Sequence, residues 1–324
     1  APLEHRILSV VKDMVSEIAK ERRKCDVILV TNDDDLFIKA DSMGMHVEEF
    51  KAGRVKAKDE GYMGYTVIPR SIPAAAASQL HGATKSCAPK HLPKLEKIAN
   101  HYYVFGSKEK HVIVRYDAVA GLFRLVPNFR KTEGKIFPKN IGQECLWDAL
   151  ICPDIKLVTI KGEAGTGKSI VAFATALELI SDSRTGFKKI FFSKQIISLN
   201  DKDMGFLPGT AEEKLAPYIE SMEDSLAVIA EKDATGKVGK SIEALKKSQH
   251  LKAIPLAFIR GTSKRNLYYI VDECQNLAPL EIKTIMTRLG TNCKLVLCGD
   301  ISQIDVDYLD KENNGLAYTI ENAK

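Results

Sequence analysis

Leu3, Ile7, Leu8, Val10, Val11, Val15, Ile18 and Ala19 recur at helical spacing, which predicts an amphipathic helix over residues 3–23. The apolar run at 26–31 then predicts a buried strand. An acidic turn at Asp33-Asp34-Asp35, a short helix and a glycine stop at Gly44 follow it. Together these make a β-α unit of an α/β domain, and only part of one, because a single strand cannot bury a core. Between 51 and 100 the periodicity fades. "SIPAAAASQLHGATKSCAPKHLP" is rich in Ala, Pro and Ser and reads as a linker or loosely ordered connection. At 101–127, β-formers alternate around a Gly106-Ser107 turn, so a small hairpin module is expected.

A long α/β pattern begins at about residue 136. Strands are predicted at 156–161, 188–193, 267–272 and 294–298 with helical stretches between them, the alternation of a parallel sheet covered by helices. A Pro208-Gly209 turn with Thr210 and Glu213 at capping-box spacing sets a helix start at Thr210. The expected division is therefore 1–55, 56–135 and 136–324.

Composition narrows the class. At 324 residues with 27% charged and 45% apolar positions, the chain is globular and long enough for two domains or more. No run of eighteen apolar residues occurs, so no membrane span is expected. The net charge of +5 is compatible with a polyanionic partner. The seven cysteines form no C-x-x-C pair and are an odd number, which fits free thiols in a reducing cytoplasm. His81, Cys87 and His91 match no zinc spacing. The opening "APLEHRILSV" is neither a signal peptide nor an initiator methionine, as in a chain trimmed upstream.

The clearest chemistry lies in "IKGEAGTGKSIVAF" at 160–173. Gly162, Gly167, Lys168 and Ser169 fill G-x-x-x-x-G-K-[ST] between a predicted strand and a predicted helix. Backbone N–H groups of Gly162, Glu163, Ala164, Gly165, Thr166 and Gly167 can line such a loop around phosphates, and the helix N-terminus adds its positive dipole end. Lys168 is then expected on the β/γ-phosphates and Ser169 on Mg²⁺, so the chain binds a nucleoside triphosphate. Downstream, "LYYIVDECQN" ends a strand in Asp272-Glu273. Asp272 is suited to the Mg²⁺ water shell and Glu273 to polarising an attacking water. "LVLCGDISQID" brings Asp300 and Gln303 to a third strand end, where a γ-phosphate sensor would sit. Gln143 precedes a helix leading into the loop strand, and a glutamine amide can pair with adenine in two places.

These stretches, with "DMGFLPGTAEEKLAPYIESMEDSL", "PLAFIRGTSKRN", "DECQNLAP", "TRLG" and "GDISQID", resemble the PhoH family of P-loop ATPases, which is related to superfamily 1 helicases. The resemblance runs in order over roughly 136–320. It implies a RecA-like ATPase core with a parallel sheet, assembled as a homo-oligomeric ring, with a hexamer as the candidate form, and acting on single-stranded RNA. It makes Gln143 the adenine reader, Gln303 the γ-phosphate sensor, and Arg260 and Arg288 candidates for an arginine finger or sensor. Where the family usually carries an Arg-Pro pair, "FFSKQIISLN" stands instead, with Lys194 as the stand-in. The family's last strand, expected after "NNGLAYTIENAK", has no counterpart.

The first fifty residues resemble the second half of a PIN nuclease domain, the partner fused to this ATPase in one subgroup. Asp33 matches a metal-binding position there, and Glu4 lies near another; the site would use Mg²⁺ or Mn²⁺. The bland reading of Asp33 is an acidic helix N-terminus favoured by the dipole. The expected architecture is thus a P-loop core preceded by a partial PIN-like α/β domain and a small β module. Two other functions fit the loop alone: a kinase-like phosphotransferase, and a switch in which nucleotide only orders a binding surface.

Overall fold

The computed structural model describes residues 3–20, 25–31, 33–49, 62–107, 109–129, 136–195, 211–259 and 264–323. The chain opens with helix α1 (Leu3–Lys20), strand β1 (Leu29–Thr31), helix α2 (Asp34–Ser42) and strand β2 (Val47–Glu49). β1 and β2 pair in parallel, and Leu8, Leu36 and Ala40 form the small core beneath them. The buried strand expected at 26–31 is therefore three residues long and half-exposed: Ile28 and Val30 face solvent. A two-stranded sheet with one cluster of helix side chains under it covers only one of its faces.

The stretch read as a linker is folded. β3 (Tyr65–Ile68), α3 (Ala74–Leu80) and β4 (Ser86–Cys87) come from it, and Ala76, Leu80, Cys87 and Leu92 are buried. Its alanines are helix formers with one buried face, which composition alone hides behind the prolines that flank them. The hairpin is present as β5 (Tyr102–Gly106) and β6 (His111–Asp117), extended by β7 (Leu122–Leu125). All join one five-stranded sheet in the order β3-β5-β6-β7-β4, antiparallel except for the β3–β5 pair.

Next come α4 (Ile141–Ile151), β8 (Leu157–Lys161), α5 (Lys168–Ser181), β9 (Lys189–Lys194), α6 (Ala211–Lys232), α7 (Lys237–Lys247) and β10 (Leu251–Ala253). β11 (Leu267–Asp272), α8 (Pro279–Met286), β12 (Cys293–Gly299) and α9 (Gly315–Asn322) complete the chain. The predicted strands are β8, β9, β11 and β12; β10 is an addition, too short to stand out in the pattern. Thr210 lies outside the described residues. The sheet order is β10-β9-β11-β12-β8, parallel throughout.

Every residue of β11 and β12 is buried, as a sheet covered on both faces requires. Tyr268 and Ile270 face a core shared with α4, α5, α6 and α7, whereas Leu267, Tyr269 and Val271 face α8 and α9. The small β module belongs to the first of these cores, because Tyr102, Val104, Ile113 and Val126 pack with residues of α4 and α5. All seven cysteines are free thiols. No helix among the described residues is long and apolar enough to cross a membrane.

Candidate nucleotide site

The chain leaves β8 through a loop at 162–167 and enters α5 at Lys168. Gly165 (φ +74°) and Gly167 (φ +83°) hold left-handed backbone, which another residue type reaches only at a cost of about 1 kcal/mol or more. The N–H of Gly162 donates to the Gly299 carbonyl (3.2 Å), which ties the loop to the end of β12. Thr166 Oγ1 donates to the Glu163 carbonyl (2.7 Å). Lys168 folds over the same arc, its Nζ donating to the carbonyls of Gly162 (2.7 Å) and Glu163 (2.9 Å). A long cationic side chain is thus folded across a loop of N–H donors at a helix N-terminus, the arrangement suited to a phosphate chain.

Ser169 and Asp272 meet although they are far apart in sequence. Ser169 Oγ donates to Asp272 Oδ2 at 2.7 Å. Asp272 ends β11 and is 8% exposed; burial pushes its carboxyl up, while the Ser169 hydroxyl opposes that shift. A hydroxyl and a buried carboxylate side by side offer the hard oxygen pair that Mg²⁺ takes beside phosphates. The donor set therefore fits the cation.

Glu273 follows with φ 56° and ψ 39°, a left-handed conformation rare outside glycine. The turn takes the chain out of the strand and leaves the Glu273 carboxylate between two partners. Gln275 Nε2 donates to it at 2.8 Å, and Lys194 Nζ, at the end of neighbouring β9, lies 3.7 Å away. Gln275 is fully buried and serves three groups: its Nε2 also donates to the Gln303 carbonyl (2.8 Å), and its Oε1 accepts from the Asp300 N–H (3.1 Å). A Cβ at Gly299 would meet that Oε1 at 2.5 Å, so glycine is needed for the approach. The Ser302 hydroxyl (2.6 Å) and N–H (2.9 Å) donate to Asp300 and hold its carboxyl below the usual range. Lys194, expected only as the stand-in for the family's Arg-Pro pair, lies beside Glu273, whereas Gln275, inside "DECQN", carried no expectation at all.

Gln143 lies in the first turn of α4, which Asn140 caps by accepting the Gln143 N–H (2.9 Å). Its Oε1 accepts from the Lys139 N–H (2.7 Å), and its Nε2 donates to the Thr166 carbonyl (3.1 Å). The amide therefore rests against the loop itself.

Other candidates lie apart. Arg288 is exposed past the end of α8, where its carbonyl accepts from the Lys264 N–H (3.1 Å). Lys264 leads into β11, so Arg288 is at the opposite end of that six-residue strand from Asp272, on the order of 20 Å away. Arg260 lies outside the described residues. Asp33 is the N-cap of α2, accepting from the Leu36 N–H at 2.9 Å. Glu4 is in the first turn of α1, and its side chain is outside the described residues. Among the described residues no three His, Cys, Asp or Glu side chains gather as a metal cluster.

Residues 135–324 match a family model described as "PhoH-like protein", and residues 3–51 match one described as "PIN domain". "Protein PhoH2" of Bacillus subtilis (strain 168) is 34% identical, over 99% of this chain and 72% of its own. Proteins of the same name in Thermobispora bispora and Mycolicibacterium smegmatis are each 28% identical. Those matches cover 93% and 98% of this chain, but only 64% and 68% of the relatives.

Proposed function

This chain belongs to the PhoH-like protein family, with a PIN domain ahead of the ATPase, and on that premise we propose that it hydrolyses ATP while acting on RNA. In this reading it is an ATP-dependent RNA helicase coupled to a PIN-type, metal-dependent endoribonuclease. The observation that carries the ATPase half is the 2.7 Å hydrogen bond between Ser169 and Asp272, which joins the phosphate loop to the end of β11.

Each side chain then has a task. Lys168 exchanges the loop carbonyls for the β/γ-phosphates. Ser169 and Asp272 would hold Mg²⁺, which would neutralise charge on the phosphate oxygens. Glu273 takes up a proton from the attacking water, with Gln275 and Lys194 fixing where its carboxylate stands. Gln303 senses the γ-phosphate from the loop that Gln275 anchors, and Gln143 reads the adenine edge beside Thr166. The directed Glu273 carboxylate favours transfer to water over transfer to a small acceptor or a non-hydrolysing switch. If the chain assembles as a ring, Arg288, at the far end of its own sheet, would serve a neighbouring subunit's nucleotide rather than its own. Asp33 is the metal ligand proposed for the nuclease half, which would use Mg²⁺ or Mn²⁺.

Phosphate release from Mg²⁺-ATP, followed with and without single-stranded RNA, tests this. The expected result is turnover that RNA raises, with the increase fading as salt screens Lys and Arg contacts to the backbone. A rate indifferent to every RNA offered would return the chain to the switch or phosphotransferase class.

A further inference from the structure

The β10 margin of the ATPase sheet, on the face turned away from α5, carries cations that no carboxylate answers among the described residues. Lys252 is paired with Phe191 in the β10–β9 register, and its Nζ lies 5.1 Å from the centroid of that ring. Lys264 Nζ, from the segment entering β11, lies 5.7 Å from the same centroid. Lys189 shares the Phe191 side of β9 by strand alternation and is exposed, as is Arg265 beside Lys264. Among the described residues none of these four cations has an ion-pair partner.

An aromatic ring stands outward on the chain that continues from β10. The turn Leu256–Ile259 directly follows β10, and Ile259 (1% exposed) and Leu256 pin it to the core shared with α8. Phe258 on the same turn is 67% exposed. Its turn is well anchored, so its exposure is not a sign of loose packing. Unpaired like charges crowded on one ring repel one another, and an anion laid across them relieves that repulsion. Cations that follow a phosphate backbone, next to an exposed aromatic that can stack a base, are the two parts of a single-strand binding surface. A duplex keeps its bases stacked on each other and has no use for Phe258.

We propose that Lys252, Lys264, Lys189 and Phe258 form a binding track for single-stranded RNA, the lysines on phosphates and Phe258 under a base. This deepens the RNA reading above and rests on it. Lys189 and Lys264 stand at the end of the sheet away from the nucleotide, and the track meets the catalytic end only through β10 and the chain that follows it. The Ile254 N–H donates to the Phe192 carbonyl (2.8 Å), Ser193 Oγ donates to the Ile254 carbonyl (2.5 Å), and the next residue, Lys194, faces Glu273. RNA on this margin therefore bears on the strand that positions the catalytic carboxylate.

The test is the affinity of the full chain for a fluorescein-labelled oligouridylate, measured by anisotropy from about 50 to 200 mM salt. The double variant Lys252→Gln/Lys264→Gln should flatten the plot of log affinity against log salt by about 1.4, since each single-strand phosphate contact contributes about 0.7. Phe258→Ala should weaken binding roughly fivefold or more, the scale of one lost stacking contact. Lys240→Gln/Lys247→Gln, on exposed positions of α7, removes the same charge elsewhere and should behave as wild type. The track is overturned if the first double variant and Phe258→Ala both bind as wild type does, or if the α7 variant flattens the slope as much. In those cases wild type still binds and the RNA reading stands. If wild type itself ignores the oligonucleotide at low salt, the RNA reading falls and the track with it.

Discussion

Gln275 divides its amide among Glu273, the Gln303 loop and the Asp300 backbone, all within 3.1 Å. Nothing in the spacing of "DECQN" distinguishes this buried glutamine from a surface one, because its partners come from a turn and from another strand. Lys168, Ser169, Asp272 and Glu273 were legible for the opposite reason. Their chemistry is tied to a strand end or a loop at fixed offsets, and the strands were visible as apolar runs. If Lys168 clamps the β/γ-phosphates as proposed, Lys168→Ala should abolish ATP turnover; phosphate release by the purified variant checks it. Gln143 rests on the loop through Thr166, so Gln143→Ala should weaken ATP far more than GTP. A lost pair of base contacts corresponds to roughly five- to hundredfold in affinity, and titration with fluorescent ATP and GTP analogues measures the ratio.

Among the elements, α4 is held from all sides. Asn140 caps its first turn, and its buried face meets the β module: Tyr102 and Arg115 both donate to Asp148 (3.0 and 2.9 Å), and His111 lies 3.1 Å from Glu144. At the other end Lys294, inside β12, donates to the carbonyls of Ala149, Leu150 and Cys152 at 2.6–2.8 Å. This polar bracing was not readable in advance, since a lysine in an apolar strand looks like a break in the pattern, and the module was expected to be half linker. Burial pulls the Lys294 ammonium down to about 7. Its folded-state pKa is then below the unfolded one, so the unfolded chain binds more protons between about pH 7 and 10, and stability from this group rises with pH there. Lys294→Met should lower the melting temperature at any pH, because three helix-end carbonyls lose their donor. The gap between wild type and variant should widen from pH 7 to 9.

The helix start at Asp33 allows a similar separation of roles. Asn caps a helix about as well as Asp, so Asp33→Asn should leave the melting temperature nearly unchanged. If Asp33 is also a nuclease ligand, the same change should abolish divalent-metal-dependent RNA cleavage by a protein that shows it, while ATP turnover continues. Cleavage that survives both the substitution and a chelator would remove the nuclease role from Asp33.

Across the whole molecule, the order of parts was legible and their union was not. The strand pattern revealed a parallel sheet and a separate β region, but Tyr102, Val104, Ile113 and Val126 share one core with α4 and α5, so the β module and the ATPase pack as one body. Side chains from two modules on a common core leave no local periodicity for a sequence to display. The same arrangement sets the nucleotide loop at one end of the sheet and Arg288 at the other. The central claim is that Glu273 drives hydrolysis of a nucleotide that Lys168, Ser169 and Asp272 bind. ATP affinity and single-turnover hydrolysis measured side by side for wild type and Glu273→Gln test it most directly. The account expects the variant to keep its affinity while hydrolysis slows by roughly a hundredfold or more, the scale of a positioned general base. Hydrolysis at the wild-type rate, or affinity and hydrolysis lost together, would contradict it.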